Sequence, residues 1–118
     1  MEHGDKAKRL RIYLSSTDKL SHMTLYEAIV LEARKSGIAG ATVLKGIMGY
    51  GASSELYSNK TWELSEKVPL IVEIIDEPSK IDSFYDVIKS YFDQAGKGHI
   101  ITMDETTILR HRAGNKFT

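Results

Sequence analysis

The chain contains no cysteine. That absence excludes a disulfide framework, a thiolate zinc site and a cysteine nucleophile together, and it fits a reducing interior. Charge of one sign is missing too, because 16 basic and 16 acidic side chains cancel. No global field therefore draws the protein to DNA, RNA or an anionic membrane, and any anion must be caught locally. No apolar run approaches the roughly 20 residues of a membrane-spanning helix. Met1 to Lys8 carries charges without the apolar stretch of a signal peptide behind it, so a cytoplasmic protein is expected. At 118 residues the chain suits one domain over 1–118, with flexible ends at 1–7 and 113–118.

What is present has a clear order. Lys8 to Leu14 alternates, with Leu10, Ile12 and Leu14 on one side and Arg9, Arg11 and Tyr13 on the other, the pattern of a strand with one buried face. Thr24 and Glu27 have the spacing of a capping box, and Leu25, Ala28, Ile29 and Ala33 recur at helical intervals until Gly37. Gly40 opens a second strand, Ala41 to Ile47, and residues 52–67 then run without a period. Val68 to Ile75 reads as a central strand, its proline at the start where a missing N–H matters least. Pro78 suits a first helical turn, and Ile81, Phe84, Tyr85, Ile88, Tyr91, Phe92 and Ala95 form a stripe that Gly96 closes. A last strand region takes in His99 to Met103 and Thr107 to Leu109, with a bend or turn allowed at Asp104 and Glu105.

The order βαββαβ predicts an α+β, ferredoxin-like sandwich, a four-stranded antiparallel sheet with two helices on one face. A loop of about 15 residues between the second and third strands is longer than a compact domain keeps without a purpose. Both sides of the central strand are apolar, Val72 and Ile74 against Ile71 and Ile75, so the sheet face away from the helices needs cover. Oligomerisation is the economical answer. Glu73 interrupts this strand, and an outward or interface-facing carboxylate is expected rather than a catalytic base.

Two features suggest an anion site. Residues Gly46 to Gly51 read Gly-Ile-Met-Gly-Tyr-Gly at the end of the second strand, where missing side chains let a ligand approach the backbone N–H groups. The last strand carries Arg110-His111-Arg112, with two arginines spaced to leave one face. Amide donors and paired guanidinium groups are what a phosphate needs. A plain turn and a solvated basic tail with Lys116 explain the same residues, and both readings stay open at this point. The four histidines lack the spacing of a metal site, and no nucleophile with its base is recognisable. RNA recognition on such a sheet requires aromatics on the two central strands, where only Tyr13 qualifies.

Taken in order, these segments resemble the PII-like signalling superfamily, in the branch catalogued as a domain of unknown function. The resemblance rests on Gly40-Ala41-Thr42-Val43, Gly49-Tyr50-Gly51, Glu55-Leu56-Tyr57, the run Val68 to Asp76, Gly96-Lys97-Gly98-His99-Ile100 and Arg110-His111-Arg112. It implies a homotrimer that binds an adenine nucleotide (ATP, ADP or AMP, with magnesium accompanying ATP) between subunits. The loop 52–67, with Glu55, Tyr57 and Trp62, then reports to a partner such as a membrane transporter or an enzyme. By the same resemblance Thr42, Gly49, Tyr50 and Gly51 border the nucleotide, Gly96, Lys97, Gly98 and His99 face its phosphates, and Arg110 and Arg112 clamp them. His99 stands where the superfamily's usual pattern has a lysine, and the segment from Thr42 to Gly49 is one residue longer than that pattern. Two alternatives accompany this reading: a trimeric metal-binding protein like the divalent-cation-tolerance family, and a small phosphate hydrolase.

Overall fold

The computed structural model describes residues 4–51, 57–58 and 67–114. Strand β1 spans Asp5–Ser15, helix α1 Leu25–Lys35, β2 Gly40–Lys45, β3 Pro69–Asp76, α2 Pro78–Ala95 and β4 Ile100–Ile108. The four strands form one antiparallel sheet in the order β2-β3-β1-β4, which is the expected ferredoxin-like arrangement. Two short ribbons were not expected: Lys19–Leu20 pairs with Met23–Thr24, and Met48–Gly49 pairs with Tyr57–Ser58. Among the described residues no helix is long and apolar enough to cross a membrane.

The two-residue period of β1 and β3 decides which side chains meet the helices. Leu10, Ile12, Val72 and Ile74 are fully buried against Leu25 and Ile29 of α1 and Ile81, Phe84, Ile88 and Phe92 of α2. Helix α1 starts as the sequence predicts: the Thr24 hydroxyl accepts from the Glu27 amide and donates to the Glu27 carboxylate. Helix α2 stops at Gly96, whose φ of 66° favours a residue without a Cβ and whose N–H donates to Phe92 O.

Asp76 ends β3 on the helix side and is buried. Its carboxylate accepts two specific amides, Ala39 N–H at 2.8 Å and Glu77 N–H at 2.6 Å, tying the turn before β2 to the start of α2. Between the helices, the Glu32 carboxylate accepts from the Ser36 and Tyr91 hydroxyls, each at 2.9 Å. Those two bonds hold its pKa below the usual carboxylate range, Ser36 contributing most. Burial, then the bond to Glu32, raises the Tyr91 phenol.

Two boundaries differ from the sequence reading, and each has a pairing reason. Strand β1 starts at Asp5, so residues 5–7, expected in a flexible lead-in, pair with Thr106 to Ile108. Strand β4 runs through Asp104 and Glu105 without a bend because both face partners across β1, Arg9 and Lys8. It ends at Ile108, so Arg110 and Arg112 follow the strand instead of lying on it. Of the 52–67 loop, only residues 57–58 and 67 are described, and Glu55 and Trp62 lie outside the described residues.

Removing the Asp76 carboxylate leaves two amides without their acceptor. Asp76→Ala is expected to lower stability by about 1–3 kcal/mol in urea unfolding; a cost near zero would show that the amides find other partners. Tyr91→Phe is expected to cost about 1 kcal/mol at pH 7. Because Glu32 has a depressed folded pKa, this contribution is present above its ordinary value and is lost as pH falls. The Tyr91→Phe penalty therefore shrinks in acid, and an equal penalty at both pH values would contradict that origin.

Candidate functional site

The sheet face turned away from the helices is laid out in rows by strand register. One row reads Leu44, Ile71, Tyr13, Ile100 across all four strands. It is apolar and only partly covered: Leu44 and Ile100 are each 46% exposed and Tyr13 37%. The next row reads Thr42, Glu73, Arg11, Thr102, and the one after it Gly40, Ile75, Arg9, Asp104. Arg11 Nε donates to Glu73 at 3.1 Å, so the carboxylate that interrupts β3 is paired on the open face. Arg9 holds Asp104 with both oxygens engaged, at 3.2 and 2.6 Å. That forked contact lowers the Asp104 pKa and raises that of Arg9.

A pocket of about 250 Å³ opens beyond the apolar row, at the end of the sheet where β3 begins. Gly46, Met48, Gly49, Tyr50 and Gly51 form one wall, and Gly98, His99 and Ile100 another. Tyr13, Ser15, Pro69 and Ile71 line it from the sheet. Two segments about 50 residues apart in sequence thus meet in one chain. The reason is topological, since the end of β2 and the start of β4 lie at the same end of a sheet whose central strands are β3 and β1.

The individual glycines act differently from what the sequence suggested. None of Gly46, Gly49 and Gly51 has positive φ, so none is required here by a left-handed backbone. Gly46 is required by close approach: its N–H donates to Pro69 O at 2.7 Å, and a Cβ there would lie 2.8 Å from the proline ring and 3.2 Å from that oxygen. At Gly51, which also lines the pocket, a Cβ would meet nothing within 4 Å among the described residues.

Of the residues proposed from sequence, Gly49, Tyr50, Gly51, Gly98 and His99 converge on this pocket. Thr42 does not line it, lying beside Glu73 in the polar row. Gly96 terminates α2, and the Lys97 carbonyl accepts from His99 Nδ1 at 3.0 Å. Arg110 and Arg112 are exposed and lie past the far end of β4. Eight steps of about 3.4 Å separate Ile100 at the pocket from Ile108, about 27 Å in all. Among the described residues the pocket of a single chain therefore has no arginine, and His99 is the one described side chain lining it that can carry positive charge. Tyr57 pairs with Gly49 through its backbone, joining the loop to the pocket wall.

Tyr13, Ser15 and Pro69 were not among the sequence candidates. Alternation did place Tyr13 with Arg9 and Arg11, opposite the core, but only the pairing register sets it beside Ile71 and Ile100. Among the described residues no group of three acidic or histidine side chains could hold a metal ion, so the metal-binding alternative gains no support from the geometry.

Comparison with known proteins extends this picture. Residues 7–108 match the family model DUF190, described as "Uncharacterized ACR". A UPF0166 protein of Aquifex aeolicus is 34% identical over 105 residues, covering 88% of this chain and 94% of that protein. A UPF0166 protein of Methanocaldococcus jannaschii is 38% identical over 89 residues, covering 72% and 82%. Among solved structures, CPII, a nitrogen regulatory PII-like protein from Thiomonas intermedia bound to ADP, AMP and bicarbonate, aligns with a TM-score of 0.68. It is 13% identical, over 90% of this chain and 91% of that one. A protein of Thermus thermophilus, proposed to be a PII-like signalling protein, aligns at 0.64 and 14% identity over 92% and 94%. At these identities the likeness establishes the PII-like fold.

The close approach at Gly46 gives a direct test of this wall. Gly46→Ala is expected to destabilise the protein by about 1–3 kcal/mol through overpacking on Pro69, whereas Gly51→Ala leaves the unfolding midpoint within about 0.5 kcal/mol of the parent. Equal effects of the two substitutions would show that the wall is not built on the Gly46–Pro69 contact.

Proposed function

The chain belongs to the DUF190 family, and on that premise we propose that it is a PII-like regulatory protein of the cytoplasm, without catalysis of its own. It binds an adenine nucleotide in clefts shared between the copies of a homotrimer. The observation that carries this reading is the meeting of Gly49–Gly51 with Gly98 and His99 in one pocket beside an uncovered apolar row. Gly49 and Gly51 line the pocket without a Cβ to shield their amides, and Tyr13 and Tyr50 offer aromatic surface for a base.

The case for sharing the site is one of charge and size. A volume of about 250 Å³ falls below the roughly 300–1,000 Å³ of usual ligand pockets. A nucleoside diphosphate also needs fixed cations, and arginine is the residue that clamps phosphate oxygens in two-pronged geometry. Arg110 and Arg112 are exposed at the opposite end of the sheet, so they reach a pocket only by belonging to a neighbouring copy. The same association covers Leu44, Tyr13 and Ile100. The ligand complex of CPII with ADP and AMP supports this choice of nucleotide.

Tyr57 and Ser58 pair with Gly49 and Met48 of the pocket wall. Nucleotide bound against Gly49–Gly51 would bias the loop conformations that a membrane transporter or enzyme recognises. ATP would bring magnesium, held by its phosphates.

Calorimetric titration of ATP, ADP and AMP, with sizing of the same sample, tests the proposal. Binding at micromolar to sub-millimolar ligand by a trimer is expected, and Arg110→Ala or Arg112→Ala is expected to weaken it about tenfold through lost charge-assisted bonds. A monomer, or no binding of any of the three nucleotides, would overturn the reading.

A further inference from the structure

His99 is positioned from two sides. Its ring rests on Phe92 of α2, with centroids 4.7 Å apart and planes tilted by 38°, which sets the plane of the imidazole. Its Nδ1 lies 3.0 Å from the Lys97 carbonyl oxygen. A carbonyl only accepts, so Nδ1 carries a hydrogen and donates it. The neutral ring then has its lone pair on Nε2, and the protonated ring has a second N–H there.

We propose that His99 is a proton-gated phosphate contact: the Lys97 carbonyl fixes the tautomer, so that Nε2 repels a phosphate oxygen when the ring is neutral and binds it as a charged donor when the ring is protonated. The proposal deepens the nucleotide reading of the pocket and rests on it. Among the described residues lining the pocket no other side chain supplies positive charge, so the state of this ring sets the sign of their contribution. Phosphate binding then takes up a proton, and affinity falls as pH rises through the ring's titration. Adenosine, lacking phosphate, gains nothing from the charge.

The titratable neighbours among the described residues do not supply a substitute. Tyr13 and Tyr50 share the pocket with the ring. On its other side a shallow groove carries Tyr85, Asp86, Lys89 and Asp93 of α2. Asp86 is paired with Lys89 at 3.2 Å, and both carboxylates there are exposed to water, which screens them. The Lys97 side chain does not line the pocket.

The test uses the full chain, with long-range ¹H–¹⁵N spectra of the imidazole followed from about pH 5 to pH 8, alone, with ADP and with inorganic pyrophosphate. The resonance missing from His99→Gln assigns the ring. ADP affinity is measured over the same range for the parent, His99→Gln and His99→Lys. Expected are an Nδ1–H tautomer in the neutral ring and a titration midpoint raised by about one unit with ADP. ADP affinity of the parent should then be about tenfold lower above the titration than below it. Both variants should retain only the pH dependence of the nucleotide's own phosphate. An Nε2–H tautomer, or a midpoint unmoved by bound ADP, overturns the proposal. If ADP binds at no pH, the nucleotide reading fails separately and pyrophosphate decides: a raised midpoint supports the proton-gated contact, and an unmoved one refutes it.

Discussion

Two helices cover only one side of the four-stranded sheet, and the rest of the molecule is arranged around that asymmetry. The helix side is closed by Leu10, Ile12, Val72 and Ile74 packed beneath Phe84 and Ile88. The other side is left with a row of partly exposed apolar residues, Leu44, Ile71, Tyr13 and Ile100, flanked by arginine–carboxylate pairs that are already satisfied within the chain. Water opposes such a row, while prepaired charges lower the cost of covering the rows beside it. A second copy is the cover that this pattern favours.

The same sheet separates the two halves of the proposed anion site. Glycine-lined backbone and His99 lie at one end, while Arg110 and Arg112 follow the other end about 27 Å away. No bending of a single chain brings them together, because β4 is continuous from Ile100 to Ile108 and paired to β1 along its length. Ligand binding and self-association are therefore one proposal. The covering of the apolar row and the arrival of the arginines would be the same event.

Much of the fold was legible in the sequence because it is written in local terms. The alternation in β1, the Thr24–Glu27 capping box, Pro78 at the start of α2 and Gly96 at its end each act over a few residues, and each appears where its pattern predicts. The convergence of Gly49–Gly51 with Gly98 and His99 was reachable only through the family resemblance, since strand register is a long-range property. Other roles were hidden for the same reason. Gly46 reads as part of a run open to a ligand, yet Pro69, distant in sequence, is what requires it. The arginines read as strand residues because spacing alone does not reveal that the β1–β4 register ends at Asp5 and Ile108 among the described residues.

Subunit complementation measures the shared site most directly. One chain carries Gly51→Trp, which fills the pocket from a position with open space around it, and the other carries Arg110→Ala with Arg112→Ala. Each alone should bind ADP poorly, one for lack of a pocket and the other for lack of a clamp. After the two are unfolded together and reassembled, clefts that combine an intact pocket with a neighbour's intact arginines should restore ADP binding to a fraction of the sites. A mixture that binds no more ADP than its separate components would contradict a site built between copies.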